Sequence, residues 1–364
     1  ENRHKIGFFF GFSRWKHNFI KPFFAKEQFA DFRFVNPLFG SNHLKKACKL
    51  GLDENSLIYI WGKKPFDEIK EFAKQKSIPI FYVEDGFIRS IELGSDLTKP
   101  YSLVVDRYGI YFDASNKSEL EEILNSTVFH EDILKTAQKV REFLVRNHIS
   151  KYNIDKDEEI KITTDKKIIF VVGQVEDDAS IIYGGSGMSN IALLKKVREE
   201  NTDSFIVYKP HPDVTVKNRI GKLSEKMTLL YADIIVKNSS TDSLFEVCDE
   251  VHTITSLVGF EALLRGKKVI TYGMPFYAGW GLTQDNLTND RRVRSLTLEE
   301  LIAGALIIYP RYINLKTDEI CDIIIFLKSL NEEKIRYNTV GNFRRGRLLR
   351  FVVRKTQMLY RMLK

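Results

Sequence analysis

Short runs rich in Ile, Val, Phe and Tyr alternate along this chain with longer amphipathic stretches, and no other feature limits its fold so strongly. The runs have the length of strands, and the stretches between them repeat apolar residues at helical spacing. Strand and helix in alternation predict an α/β fold with parallel sheets, because a parallel neighbour is reached through a helical crossover. In the first half, strands are expected at IGFFFG, LIYIWG, IPIFYVED and SLVVD, with helices at 42–50, 66–75, 117–124 and 131–145. The polar segment KYNIDKDEEIKITTDKK lacks sustained periodicity and reads as a linker. A second series follows at IIFVVG, FIVYK, DIIVK, VHTIT and KVITYG, with helices at 191–200 and 260–265 and terminal helices at 298–305 and 318–330. A chain of 364 residues exceeds one ordinary core. Two Rossmann-like domains are therefore expected, at 1–150 and 167–310, joined by a linker at 151–166 and followed by C-terminal helices at 311–364 that cross back to the first domain.

Hydrophobic residues at 43% and charged residues at 29% fit a folded soluble protein and exclude a disordered one. No run reaches the ~18 apolar residues of a membrane span. The apolar run in ENRHKIGFFFGFS is too short for a signal peptide, so a cytoplasmic location is expected. Cys48, Cys248 and Cys321 form no CxxC pair, which argues against a disulfide framework and a zinc site. The net charge of +8 calls for an anionic partner. Much of it lies in FRRGRLLRFVVRKTQMLYRMLK at 343–364, where Leu348, Leu349, Val352, Val353, Leu359 and Leu363 would line one face of a helix and the basic residues the other. Such a helix either lies on a membrane surface or packs on the protein body. With no recognition motif elsewhere, a nucleic-acid partner is not expected.

Ligands of open parallel sheets sit at the carboxyl ends of strands, and four loops there carry unusual chemistry. After IPIFYV come Glu84, Asp85, Gly86 and Arg89, which place a base for an acceptor hydroxyl or form a turn in which Glu84 pairs with Arg89. After IIFVVG, Gln174 precedes Glu176, Asp177, Asp178 and Ser180. Three acids at a strand end suit magnesium binding or carboxylate catalysis, or make a solvated acidic loop. The loop Tyr208-Lys209-Pro210-His211-Pro212 holds a histidine between prolines beside a lysine, an arrangement suited to a phosphate or leaving group. Finally, Thr255 and Ser256 stand where a helix begins, an anion site by virtue of its free amides, with Glu261 one turn inside to meet ribose hydroxyls. Ser256 alone could be a simple cap. The aromatic, glycine-rich stretch from Met274 to Thr283 suits a sugar or nucleotide surface. No GxxxxGK[ST] loop is present and no GxGxxG follows the first strand, so the pattern favours a nucleotide-sugar transferase over an ATPase or dehydrogenase.

The strings EDGFIRS, YSLVVDRYGIYFDAS, GQVEDDASI, YKPHPD and TSLVGFEALLRGKKVITYGMPFYAGWGLT resemble, in order and over nearly the whole chain, the KpsC-type capsule β-Kdo transferases. Family members carry two such modules in tandem; this chain has the length of one, and its GFSRWKH is more like the second. The resemblance implies a glycosyltransferase-B fold and a retaining transfer of Kdo from CMP-β-Kdo to a lipid-linked Kdo oligosaccharide, the linker of some capsules. Retention implies two displacements through a covalent intermediate on an enzyme carboxylate. The family's QxxxDxS pattern falls on Gln174, Asp178 and Ser180, which implies Asp178 as nucleophile. By the same likeness His211, aided by Lys209, would donate to the departing CMP phosphate and Thr255 and Ser256 would hold it. Glu261 would bind ribose, and Glu84 would activate the acceptor hydroxyl with Asp85 and Arg89 beside it. The donor has a single phosphate, so neither a metal nor another cofactor is expected. Expected partners are CMP-Kdo, the lipid-linked acceptor, an anionic inner membrane surface on which the protein would lie peripherally, and other capsule assembly proteins. The competing functions are another metal-independent transferase, of sialyl- or polyol-phosphate type, and a noncatalytic capsule assembly or export component.

Overall fold

The computed structural model describes residues 5–36, 42–91, 98–151, 153, 160–217, 220–237 and 239–340. The basic tail at 343–364 and positions 154–159 of the expected linker lie outside them. The chain forms two compact units, one comprising Glu1–Ile110, Ile149–Asn153 and Leu306–Lys364, the other Tyr111–His148 and Ile154–Ala305.

In the first unit five strands, β1 (Ile6–Phe10), β2 (Asp31–Val35), β3 (Ser56–Trp61), β4 (Ile80–Asp85) and β5 (Ser102–Asp106), belong to one sheet. Its buried strands read as unbroken apolar runs because both faces are covered. Phe9, Leu57, Tyr59 and Trp61 face one aromatic layer, where Phe9 stacks on Tyr59 at 4.9 Å between ring centres. Phe8, Phe10, Ile58 and Ile60 alternate to the other side and pack with Ile69 and Ala73 of the helix Asp67–Gln75. β1 to β4 run parallel, but β5 is antiparallel to β4, which corrects the expectation for SLVVD. No crossover helix is described between β4 and β5; instead the chain turns back, with the Gly86 amide on the Ser102 carbonyl at 3.0 Å.

The second unit holds the next six strands: β6 (Ile168–Val172), β7 (Phe205–Lys209), β8 (Ile234–Ile235), β9 (Glu250–Thr253), β10 (Lys268–Thr271) and β11 (Gln284–Asp285). They are all parallel, in the order β8-β7-β6-β9-β10-β11. Renumbered from β6, this is the 3-2-1-4-5-6 order of a doubly wound sheet. Leu193, Leu194 and Val197 of the helix Asn190–Glu200 pack against Ile169, Val171 and Ile206 of the strands.

The unit boundaries differ from the expected ones. The helices Glu119–Ser126 and Glu131–Arg146 belong to the second unit, where side chains fasten them. Glu121 accepts from both Arg291 (2.8 Å) and Arg292 (3.1 Å), and the Arg141 Nε donates to the Leu264 carbonyl at 2.8 Å. At its other end the chain returns to the first unit as strands before it becomes helical. β12 (Pro310–Ile313) pairs antiparallel with β5, β13 (Ile320–Cys321) pairs with β12, and the helix Ile323–Val340 follows. No described helix is long and apolar enough to cross a membrane.

Candidate active site

In a doubly wound sheet the ligand crevice opens where the strand order reverses, here at the carboxyl ends of β6 and β9. Sequence-predicted residues meet at that point. The Gln174 side chain is buried and joins the two strand ends: its Oε1 accepts from the Thr255 amide at 2.8 Å and its Nε2 donates to Thr255 Oγ1 at 3.1 Å. Gln174 is in turn clamped by Asn190, whose Oδ1 accepts from the Gln174 amide (2.9 Å) and whose Nδ2 donates to its carbonyl (2.8 Å). Gln174 thus fixes Thr255, its own polar atoms being used within the protein. Asn190 was not among the predicted residues; as a buried side chain opening a helix, it gave no sequence signal distinct from a cap.

Thr255 is buried, and a side chain at Gly273 would strike its Cγ2 at 2.7 Å, so glycine there lets the β10 end pack directly on it. Ser256 caps the helix Leu257–Leu264, its Oγ accepting from the Val258 amide at 3.2 Å. An accepting hydroxyl still has a proton to give, so capping and anion binding are compatible. Glu261 is buried within the same helix.

The three acids after β6 have separate places. Glu176 Oε1 accepts from the Asn190 amide at 2.7 Å, which ties it to the scaffold. Asp177 and Asp178 are exposed. Asp178 caps the helix Ala179–Gly184, with Oδ1 accepting from the Ser180 amide (3.0 Å) and Ser180 Oγ (2.8 Å). The QxxxDxS spacing therefore places a solvent-facing carboxylate, held by Ser180, one turn beyond the Gln174 clamp. At the end of β7, the Lys209 Nζ donates to the Ser239 carbonyl at 2.6 Å. His211 Nδ1 accepts from the Asp213 amide at 3.1 Å. The neutral ring then carries its proton on Nε2, the tautomer that can donate outward.

The aromatic stretch after β10 corrects its expected use. Phe276, Tyr277 and Trp280 are buried, with Trp280 Nε1 donating to the Phe276 carbonyl and the Tyr277 hydroxyl to the Ser256 carbonyl at 2.5 Å. A side chain at Gly259 would sit 2.2 Å from that Tyr277 oxygen. These rings support the Thr255–Ser256 turn from behind instead of offering a face to a sugar.

In the first unit Glu84 and Asp85 end β4 itself. The competing pairing of Glu84 with Arg89 does not form. The fully buried Arg89 donates from Nε to Asp85 Oδ2 at 2.6 Å and from Nη1 to Ser90 Oγ at 2.9 Å. Arg89 is thus Asp85's partner in the interior and is not exposed to an acceptor. Glu84 Oε1 accepts its neighbour's amide, that of Asp85, at 2.9 Å. Burial, and next the negative Asp85, push the Glu84 carboxyl up to about 7, while Lys16 pulls the other way. Burial would raise Asp85 too, but Arg89 and then Lys16 outweigh it and hold Asp85 below the usual carboxylate range. Lys16 is buried with its Nζ 3.0 Å from the centre of the Trp61 ring. Burial lowers its ammonium to about 8, against the pull of Asp85 and Glu84. Lys16 escaped the sequence reading although its motif, GFSRWKH, follows β1; the strand-end rule applied to that loop would have found it. Among the described residues, no group of three or more His, Cys, Asp or Glu side chains is placed to hold a metal ion.

The family described as "Capsule polysaccharide biosynthesis protein" matches residues 56–312. Capsule polysaccharide modification protein LipA of Neisseria meningitidis serogroup A is 43% identical over 355 residues, 97% of this chain and 49% of LipA. The chain thus spans about half the length of such relatives. The lipopolysaccharide-processing protein LpsZ of Rhizobium meliloti is 36% identical over 83% of this chain and 69% of LpsZ. Among solved structures, the beta Kdo 2,7 transferase of Thermosulfurimonas dismutans KpsC is similar with a TM-score of 0.73 and 38% identity, covering 91% of this chain and 100% of that one. The beta Kdo 2,4 transferase of the same KpsC gives 0.74 and 29% identity, over 91% of this chain and 99% of that one.

Proposed function

The chain belongs to the KpsC-type capsule polysaccharide biosynthesis family, and on that premise we propose that it is a retaining, glycosyltransferase-B type β-Kdo transferase using CMP-β-Kdo. The observation that carries this reading is its likeness, at 38% identity and over the whole of that chain, to a solved structure titled as a Kdo transferase. The arrangement at the ends of β6, β7 and β9 supports it chemically. In the proposed first step an Asp178 oxygen attacks the anomeric carbon of Kdo and the carbon–oxygen bond to the CMP phosphate breaks. Lys209, His211 through Nε2–H, and the hydroxyls of Thr255 and Ser256 would bind the charge that develops on the phosphate. Glu261 would take the ribose. In the second step an acceptor hydroxyl attacks the same carbon, loses its proton to Glu84 and releases Asp178, so that configuration is retained. Asp85 and Arg89 would set Glu84's charge and position. Neither step calls on a metal or another cofactor.

The acceptor would be a lipid-linked Kdo oligosaccharide, and the higher identity to the 2,7 transferase favours transfer to a 7-hydroxyl. The test is incubation with CMP-Kdo, generated in place, and a synthetic Kdo-glycolipid without added divalent metal, with mass and linkage analysis of the product. One added β-linked Kdo is expected. Turnover of a different donor, or glycan binding with none, would replace this reading with the sialyl- or polyol-phosphate transferase or the assembly component. The proposal includes peripheral binding to an anionic inner membrane surface through 343–364, argued from its sequence alone. Deleting that segment should lower sedimentation with anionic liposomes; unchanged sedimentation would dismiss the membrane role.

A further inference from the structure

The first unit has its own reversal of strand order. Its sheet runs β2-β1-β3-β4, so the connections leave β1 on one side and return on the other, and the crevice falls at the carboxyl ends of β1 and β3. A cleft of about 420 Å³ opens there, the size of a small-molecule pocket. Its polar lining is Ser13 and Arg14 after β1, Asn36 after β2, His43, and Lys64 after β3, and among the described residues no acidic one lines it. Phe12 and Phe66 supply apolar wall. Lys64 crosses the backbone of Gly11, whose φ of +77° and missing side chain leave room for it, and its Nζ donates to the Gly11 carbonyl at 2.5 Å. An ammonium has two further donors to give.

Through Lys64 the cleft is also in electrostatic reach of the proposed base. The turn that carries Lys64 contains Gly62, where a side chain would come within 3.3 Å of Glu84 Oε2, and the Glu84 charge favours the Lys64 ammonium. Cations in the lining, an aromatic wall and a nearby carboxylate describe a receptor for a sugar that is itself an acid. We infer that this cleft is the subsite for the terminal sugar acid of the acceptor, with Arg14 and Lys64 holding its carboxylate and a ring hydroxyl directed to Glu84. The assignment of this occupant as acceptor rests on the transferase reading above.

Titration of the purified protein with the methyl β-glycoside of Kdo, its methyl ester and inorganic phosphate, followed by calorimetry or ligand-observed NMR, tests it. The glycoside should bind about tenfold or more tightly than the ester, since a charge-assisted pair is lost. Arg14→Ala should weaken the glycoside about 10- to 100-fold and the ester by less than about threefold, and Arg14→Lys should recover part of the loss. Equal binding of acid and ester to the wild type, equal weakening of both by Arg14→Ala, or displacement of the glycoside by phosphate at equal concentration would overturn the subsite. Wild-type turnover of CMP-Kdo is read separately. Selective glycoside binding without turnover would keep a sugar-acid site and sink the transferase reading, whereas turnover without acid-over-ester selectivity would do the reverse.

Discussion

Asp178→Asn is expected to reduce Kdo transfer by about 10⁴-fold or more, because a carboxamide cannot form the covalent intermediate and the other contacts do not replace it. Asparagine is the informative choice. It keeps an oxygen to cap the helix Ala179–Gly184 and to receive the Ser180 hydroxyl, so the local fold stays while the proposed nucleophile goes. Alanine would also remove the cap, at about 0.5–2 kcal/mol, and confuse stability with chemistry. The neighbouring acids make the control. Glu176 is bonded to the Asn190 amide, next to the clamp that holds Gln174, so Glu176→Gln should lower thermal stability more than it lowers turnover at saturating substrate. Intact-mass measurement of wild type quenched with CMP-Kdo and no acceptor should show one Kdo added, and Asp178→Asn should show none. Transfer by Asp178→Asn above about one tenth of wild type would remove Asp178 from the nucleophile's role.

Most of the second sheet was legible because its inner strands are apolar and separated by helical patterns, whereas β11 at its edge, the polar pair Gln284–Asp285, carries no such signal. The catalytic candidates were legible for a related reason: strand ends in such a sheet are where side chains must leave regular pairing, and polar residues stand out against apolar runs. What stayed hidden depends on long-range pairing. SLVVD looks like any buried strand, and nothing in its residues says that it runs against β4. PRYI opens with proline and is short, yet it joins the first sheet from more than 200 positions away in sequence, at Pro310 opposite Val104. MPFYAGWG combines aromatic and glycine residues as a sugar platform would, but Trp280 and Tyr277 turn inward to hold the Ser256 carbonyl and their own loop. Composition does not distinguish a ring that faces a ligand from one that supports the residues that do.

The pH dependence of transfer should follow Glu84, and Lys16 should set where it falls. As the proposed base Glu84 would act only when ionised, and its carboxyl is pushed up to about 7, first by burial and then by Asp85. Transfer per enzyme under limiting acceptor should therefore rise with pH through about 7 and level off above it. Glu84→Gln should abolish this limb and lower transfer by about 10²- to 10⁴-fold, the usual worth of a positioned base. The sign for Lys16 is set by its charge: the ammonium favours the ionised carboxylate, so Lys16→Met, which keeps length and packing over Trp61, should raise Glu84 further and move the limb to higher pH. A displacement on the order of one pH unit is expected for loss of one close cation in a poorly solvated site. At pH 7 this variant would be several-fold slower, and at high pH it would recover, which a merely misfolded variant would not do. Arg89, Lys64 and Lys151 also bear on the pair Glu84 and Asp85, but Arg89 is committed to Asp85 Oδ2, and Lys16 stands first among the cations acting on Glu84. A limb that stays at the same pH in Lys16→Met would mean that the lysine packs against Trp61 without tuning the base, and loss of activity at every pH would assign it to structure.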